Sequence, residues 1–128
     1  MAALDDINLV QTLVHAGFKD DGTLRNALAV VFAESGGRCD ARNTAGNNPP
    51  STDRGLFQIN SHWHPEVTDA CAYDCLCNAL AAHRISHGGT NWHPWATWPT
   101  AAQRHYPEAD RALHAWRNRA HSHAEETL

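Results

Sequence analysis

No apolar run in this 128-residue chain approaches the length needed to cross a bilayer, so a transmembrane role is excluded. The opening, Met1-Ala-Ala-Leu-Asp-Asp-Ile7, has neither a basic n-region nor a long apolar stretch. It does not read as a secretory signal, so delivery outside the cytoplasm would need another route, or the chain is a piece of something larger. Positive charge is also short. Ten Lys and Arg against fourteen Asp and Glu leave a formal charge of −4, which argues against nucleic acid as a partner. Internal repeats, low-complexity segments and a paired C-x-x-C motif are likewise missing. What is present describes an ordinary globule, 42% hydrophobic and 19% charged, read as one domain over residues 1–128. Ten histidines would reverse the sign of the net charge if most were protonated, so acidic conditions would suit an anionic polymer as partner.

Four cysteines, Cys39, Cys71, Cys75 and Cys77, allow three disulfide pairings. Cys75 and Cys77 are too close for an easy bridge to each other. Two pairings remain: Cys71–Cys77 with Cys39–Cys75, which is preferred, or Cys39–Cys77 with Cys71–Cys75. An even number of cysteines in a small domain acting outside a cell fits disulfides. A zinc site is one competing reading, since His62, His64, His83 and His87 could add ligands, and His83 and His87 are one helical turn apart; inert free thiols are another. Without a paired C-x-x-C motif the preference goes to disulfides and to no metal or other cofactor.

Ile7, Leu9, Val10, Leu13 and Val14 recur at helical spacing behind Asp5-Asp6, predicting a first helix that ends near Gly17. Asp21 or Thr23 can cap a second, through Leu24, Leu28, Val31 and Phe32, with Gly36-Gly37 as its stop and Glu34 in its last turn. Residues 38–56 have a composition for turns and a small hairpin. Pro65-Glu66 can open a short helix. A longer one is predicted over 74–87 with Leu76, Leu80 and Ile85 inward, stopped by Gly88-Gly89. The last helix is predicted over 99–121, and a frayed tail over 125–128. The fold class is therefore mostly α (α+β), a helical lobe and a small β-containing lobe with a cleft between them.

Two carboxyl groups stand in opposite surroundings. Glu34 ends the apolar run Ala29-Val-Val-Phe-Ala33, whereas Asp53 lies in the polar stretch Ser51-Thr-Asp-Arg-Gly-Leu-Phe-Gln-Ile-Asn-Ser61. A carboxyl pressed against apolar side chains is costly to ionise and can keep a proton at neutral pH; one among hydroxyl and amide donors keeps its charge. That pair is what glycosidic cleavage requires: a proton for the leaving oxygen and a negative charge facing an oxocarbenium-like centre. Gln58 and Asn60 alternate with Phe57 and Ile59, the period of a strand with one polar and one buried face. Amides directed into a cleft can bond sugar hydroxyls and N-acetyl groups, or can instead satisfy local backbone.

Glu34-Ser35, Arg42-Asn43-Thr44-Ala45-Gly46, Ser51-Thr52-Asp53-Arg54-Gly55 and Leu56-Phe57-Gln58-Ile59-Asn60-Ser61-His62-Trp63 together resemble the active-site segment of chicken-type lysozymes. Ala82-His83-Arg84-Ile85 and Trp95-Ala96-Thr97-Trp98 resemble that family's third long helix and its W-x-x-W pair. The run from Gly55 to Asn60 is also similar to goose-type lysozymes and lytic transglycosylases, and the compact chain resembles lysozyme domains of bacteriophages. Lysozyme is the reference case for the two-carboxyl division of labour, so a raised acid pKa at Glu34 is also an implication of this resemblance. Three departures stand out: Asn47-Asn48-Pro49-Pro50 is extra, the cysteine positions differ, and Arg54 replaces an aromatic before the glycine.

The resemblance implies a lysozyme-like fold, with Glu34 as catalytic acid and Asp53 as the anion or nucleophile. It implies sugar contacts from Asn60 and the cleft-edge Trp63, and Asn43 orienting Asp53. Gln58 is read as a further sugar contact. Trp95 would pack against the acid; Ala115-Trp116-Arg117-Asn118-Arg119 also resembles the surroundings of the family's second tryptophan, and the match upstream favours Trp95. The function expected is that of a muramidase acting on peptidoglycan glycan strands, as a monomer and outside the cytoplasm, in the manner of a phage endolysin released through a membrane lesion or of a virion-associated domain. Two rivals are lytic transglycosylation, which needs no second carboxylate, and a non-catalytic domain that binds wall polysaccharide.

Overall fold

The computed structural model describes residues 2–126, and side chains as far as Arg119. The expected tail over 125–128 falls outside this range, apart from the helical backbone of Glu125 and Glu126. Helix α1 spans Asp6–Ala16 and α2 spans Asp21–Glu34. Three two-residue strands follow, β1 Arg42–Asn43, β2 Asp53–Arg54 and β3 Ile59–Asn60, then helices α3 Asp69–Ala72, α4 Cys75–Ile85, α5 Thr100–Gln103 and α6 Tyr106–Glu126. The strands form one antiparallel sheet in chain order, with Asn43 opposite Asp53 and Asp53 opposite Asn60. The mostly helical α+β class read from the sequence is thus the one observed.

The helix ends follow their side chains. Asp5 accepts the Asn8 N–H at the start of α1, and Gly17, at φ 114°, closes it with N–H bonds to the last turn. For α2 the cap is Asp20, one residue before Asp21 and three before Thr23; its carboxylate accepts both the N–H and the hydroxyl of Thr23. The helix expected from Pro65 starts later, where Thr68 caps α3. The single helix expected over 99–121 is broken after Gln103. Pro107 has no N–H to return to the Gln103 carbonyl, and at the second position of α6 that loss falls among donors a helix start leaves free.

Helix α6 packs on α1 and α2, α1 on α4, and α2 on α5. Leu9, Val10, Leu13, Leu24, Leu28, Val30 and Val31 are buried between them. Helix α4 turns a face other than the expected one inward: Asn78, Ala79, Ala81 and Ala82 are buried, while Leu76 and Leu80 remain 40% and 46% exposed. Ile85 is partly buried against the core, as expected.

An aromatic cluster ties the β lobe to the helices. The Phe57 ring lies 6.1 Å from Phe18 and 5.9 Å from Trp92, and Trp95 lies 5.1 Å from Trp92. Beneath it, Asn78 is fully buried and donates to the carbonyls of Arg54 and Ala72 while accepting the N–H of Phe57. The backbone between those groups must approach α3 closely. At Gly55, φ 74°, a Cβ would lie 1.9 Å from the Ala72 carbonyl oxygen, so no other residue fits. Arg54, an unexpected residue at its place, is 3% exposed; it donates to the carbonyls of Ile59 and Val67 and to Asp69, holding the segment between β3 and α3.

The cysteines pair as Cys39–Cys75 and Cys71–Cys77, the preferred pairing. With the thiols so joined, the zinc alternative has no thiolate left to use.

Candidate active site

Glu34 reaches the site because α2 ends there. Its successor Ser35 donates to the Leu56 carbonyl at 2.7 Å, which fixes the helix end against the β lobe, and Gly36 and Gly37 turn the chain away with positive φ. The Glu34 carboxyl is mostly withdrawn from water, and that burial pushes its pKa above the ordinary glutamate value. A hydrogen bond of 2.7 Å from the Thr97 hydroxyl to Oε2 acts the other way, and the charge of Asp53 adds to the increase.

Asp53 comes from β2, the middle strand, so a neighbour on either side can reach it. Asn60 on β3 donates to Oδ1 at 3.0 Å, and Asn47, in the loop between β1 and β2, donates to Oδ2 at 3.3 Å. The Asn47 amide is itself held by the Ser51 carbonyl at 3.0 Å. Asn43 is opposite Asp53 in the ladder, but its side chain accepts the Ala45 N–H. The orienting amides are therefore Asn47 and Asn60, a correction to the part expected of Asn43.

Glu34 and Asp53 line one cleft of about 520 Å³, together with Asn47, Gln58, Ile59, Asn60, Trp63, His64, Ile85, Pro94, Trp95 and Ala96. Glu34 comes from the end of α2, the other polar groups mostly from the β lobe, and much of the apolar surface from the end of α4 and the turn holding Trp95. Gln58 lines this cleft, yet it is no strand residue. At φ 52° it sits in the turn before β3, and its amide donates to the Ala41 and Gly55 carbonyls, so the alternation expected over 57–60 reduces to Ile59–Asn60. The Asn60 amide is also fully engaged. Besides Asp53 it donates to Ser51, and its oxygen accepts the N–H groups of His62 and Trp63.

Trp63 stands 67% exposed at the rim with the His62 ring 4.6 Å away, edge to face. Trp95 is buried, and its indole N–H donates to the Phe57 carbonyl at 2.8 Å, so it forms a fixed wall of the cleft. Trp116, the competing candidate, is on α6, where it bonds Gln11 and carries the Arg119 guanidinium on its ring. The structure thus brings Glu34, Asp53, Gln58, Asn60, Trp63 and Trp95 together and leaves Asn43 outside the lining. Sequence reasoning passed over Asn47 and Thr97. Asn47 begins a stretch extra to the chicken-type pattern, and Thr97 is a variable position inside the W-x-x-W pair, so neither carried a motif signal.

A cleft with one partly buried carboxyl of raised pKa and one amide-held carboxyl can deliver a proton to a bound ether oxygen while a negative group faces the adjoining carbon. Comparison with curated proteins and with solved structures finds no match for the chain. A family model described as lysozyme-like domain matches residues 10–97, which include Glu34, Asp53 and all the residues lining the cleft. Matched over more than half its length, the chain belongs to the lysozyme-like domain family.

Proposed function

We propose that this protein is a peptidoglycan muramidase, hydrolysing the β-1,4 bond between N-acetylmuramic acid and N-acetylglucosamine. A lysozyme-like domain points to peptidoglycan as the polymer acted on, and so to the cell wall, outside the cytoplasm. The observation that carries the finer reading is the unequal pair in one cleft: Glu34, whose pKa burial raises, and Asp53, gripped at both oxygens by amide donors. Glu34 protonates the departing oxygen and, once ionised, takes a proton from the incoming water. Asp53 supports the positive charge at the anomeric carbon or bonds to it transiently. Trp63 offers an aromatic face to a pyranose ring at the cleft edge.

Glu34→Gln removes the transferable proton and is nearly isosteric, so wall cleavage should fall by about a hundredfold to ten-thousandfold with the fold kept. More than a tenth of the wild-type rate would overturn the assignment. Mass spectrometry of products from defined glycan strands should find reducing ends. Anhydro ends between C1 and C6 of the muramyl residue, with little loss on Asp53→Asn, would identify a transglycosylase, and binding without cleavage a non-catalytic domain.

A further inference from the structure

Glu34 has two carboxyl oxygens, and only one has a protein donor among the described residues' bonds: Thr97 Oγ1 donates to Oε2 at 2.7 Å. Thr97 is held firmly by the backbone around it. Its carbonyl accepts the Ala102 N–H at 2.8 Å in α5, the Trp98 N–H bonds the Trp95 carbonyl, and the Trp95 indole is tied to the Phe57 carbonyl. A hydroxyl on so constrained a turn can fix a carboxyl rotamer that would otherwise have the freedom of three side-chain torsions. We propose that Thr97 is a positioning residue for Glu34: by holding Oε2 it leaves Oε1 as the oxygen that delivers the proton to the glycosidic oxygen and recovers one from water.

The proton inventory is closed. The Oε1–H bond breaks as the glycosidic oxygen gains the proton and its bond to the anomeric carbon breaks; later, water adds to that carbon and its proton returns to Oε1. Throughout the ionised interval the Thr97 hydroxyl donates to the carboxylate, stabilising the anion that must form when the proton leaves. Burial and this hydrogen bond oppose each other at Glu34, which suits a group that has to release and regain a proton in one cycle. The other titratable groups lining the cleft are Asp53 from β2 and His64 from the segment after β3.

This inference rests on the acid role given to Glu34 above, and it can be tested apart from it. Thr97→Val removes the hydroxyl and keeps the branched shape; Thr97→Ser keeps the hydroxyl. The Glu34 titration is followed by carboxyl carbon NMR in each protein, without substrate, and kcat and KM are measured against pH on defined glycan strands. Thr97→Val should move the Glu34 midpoint and the alkaline limb of kcat to higher pH, and lower kcat about tenfold with KM unchanged, the effect of losing one hydrogen bond to a charged group. Thr97→Ser should restore both. An unmoved midpoint, an unchanged kcat, or a loss that serine does not repair would overturn the inference. Failure of the acid role would be seen separately, as cleavage surviving Glu34→Gln.

Discussion

Burial raises the Glu34 pKa in the folded protein above its value in the unfolded chain, and this couples folding to pH. Between the ordinary glutamate range and the raised value, the folded state binds the extra proton. Stability contributed by the protonated group is complete below the unfolded pKa and is lost as pH rises through the folded one. Glu34→Gln carries no such charge and can still accept from Thr97. Thermal melts over a pH series should therefore show this variant more stable than wild type on the alkaline side of that window, with the gap closing in acid. Equal stabilities at every pH would count against a partly buried, ionising Glu34. At this scale the two carboxyls were legible because each lies in a distinctive local composition. Their partners were not: Asn47 and Thr97 reach the carboxyls through turns, and a turn's geometry leaves little trace in residue spacing.

Periodicity identified α1 and α2 because their inward faces are made of large aliphatic residues. It also located α4 and its inward Ile85, but misplaced Leu76 and Leu80, because hydrophobicity was weighed and size was not. The buried face of that helix consists of alanines and Asn78, small enough to lie close to α1 and to the Gly55 turn, and the two leucines at positions 76 and 80 point outward. A fully buried asparagine also reads from sequence as a surface residue, although its three hydrogen bonds join the lobes. The disulfides belong to the same scale. Cys39–Cys75 spans 36 residues and ties the segment after α2 to the start of α4, whereas Cys71–Cys77 spans 6 and staples α3 to α4. Loop-closure entropy gives about 4 kcal/mol for the longer and about 2 kcal/mol for the shorter. Replacing Cys39 and Cys75 by alanine should therefore lower the guanidinium midpoint more than replacing Cys71 and Cys77. The reverse order would mean that unfolded-chain entropy does not govern their contribution.

Charge acts over the whole molecule. The chain is formally −4 with histidines neutral, and its ten histidines would reverse that sign if most were protonated. Peptidoglycan is a polyanion. At about pH 7 the two repel and added salt should speed lysis by screening, while near about pH 5 they attract and the same salt should slow it. Turbidity loss measured at two ionic strengths across this range decides the matter; an identical salt response at both ends would show that net charge does not control encounter with the wall.

The unequal exposure of the tryptophans has an optical consequence. Trp63 is 67% open to solvent, Trp98 and Trp116 are partly buried, and Trp92 and Trp95 are 3% and 6% open, so among the five an aqueous quencher such as iodide meets the Trp63 indole most freely. In the Glu34→Gln protein, which would hold glycan without cutting it, a sugar ring seated on Trp63 should shield that indole, shift its emission to shorter wavelength and reduce the quenchable fraction. The same titration on Trp63→Phe should lose the response. Emission from one rim residue would then report cleft occupancy directly, in a protein that performs no turnover.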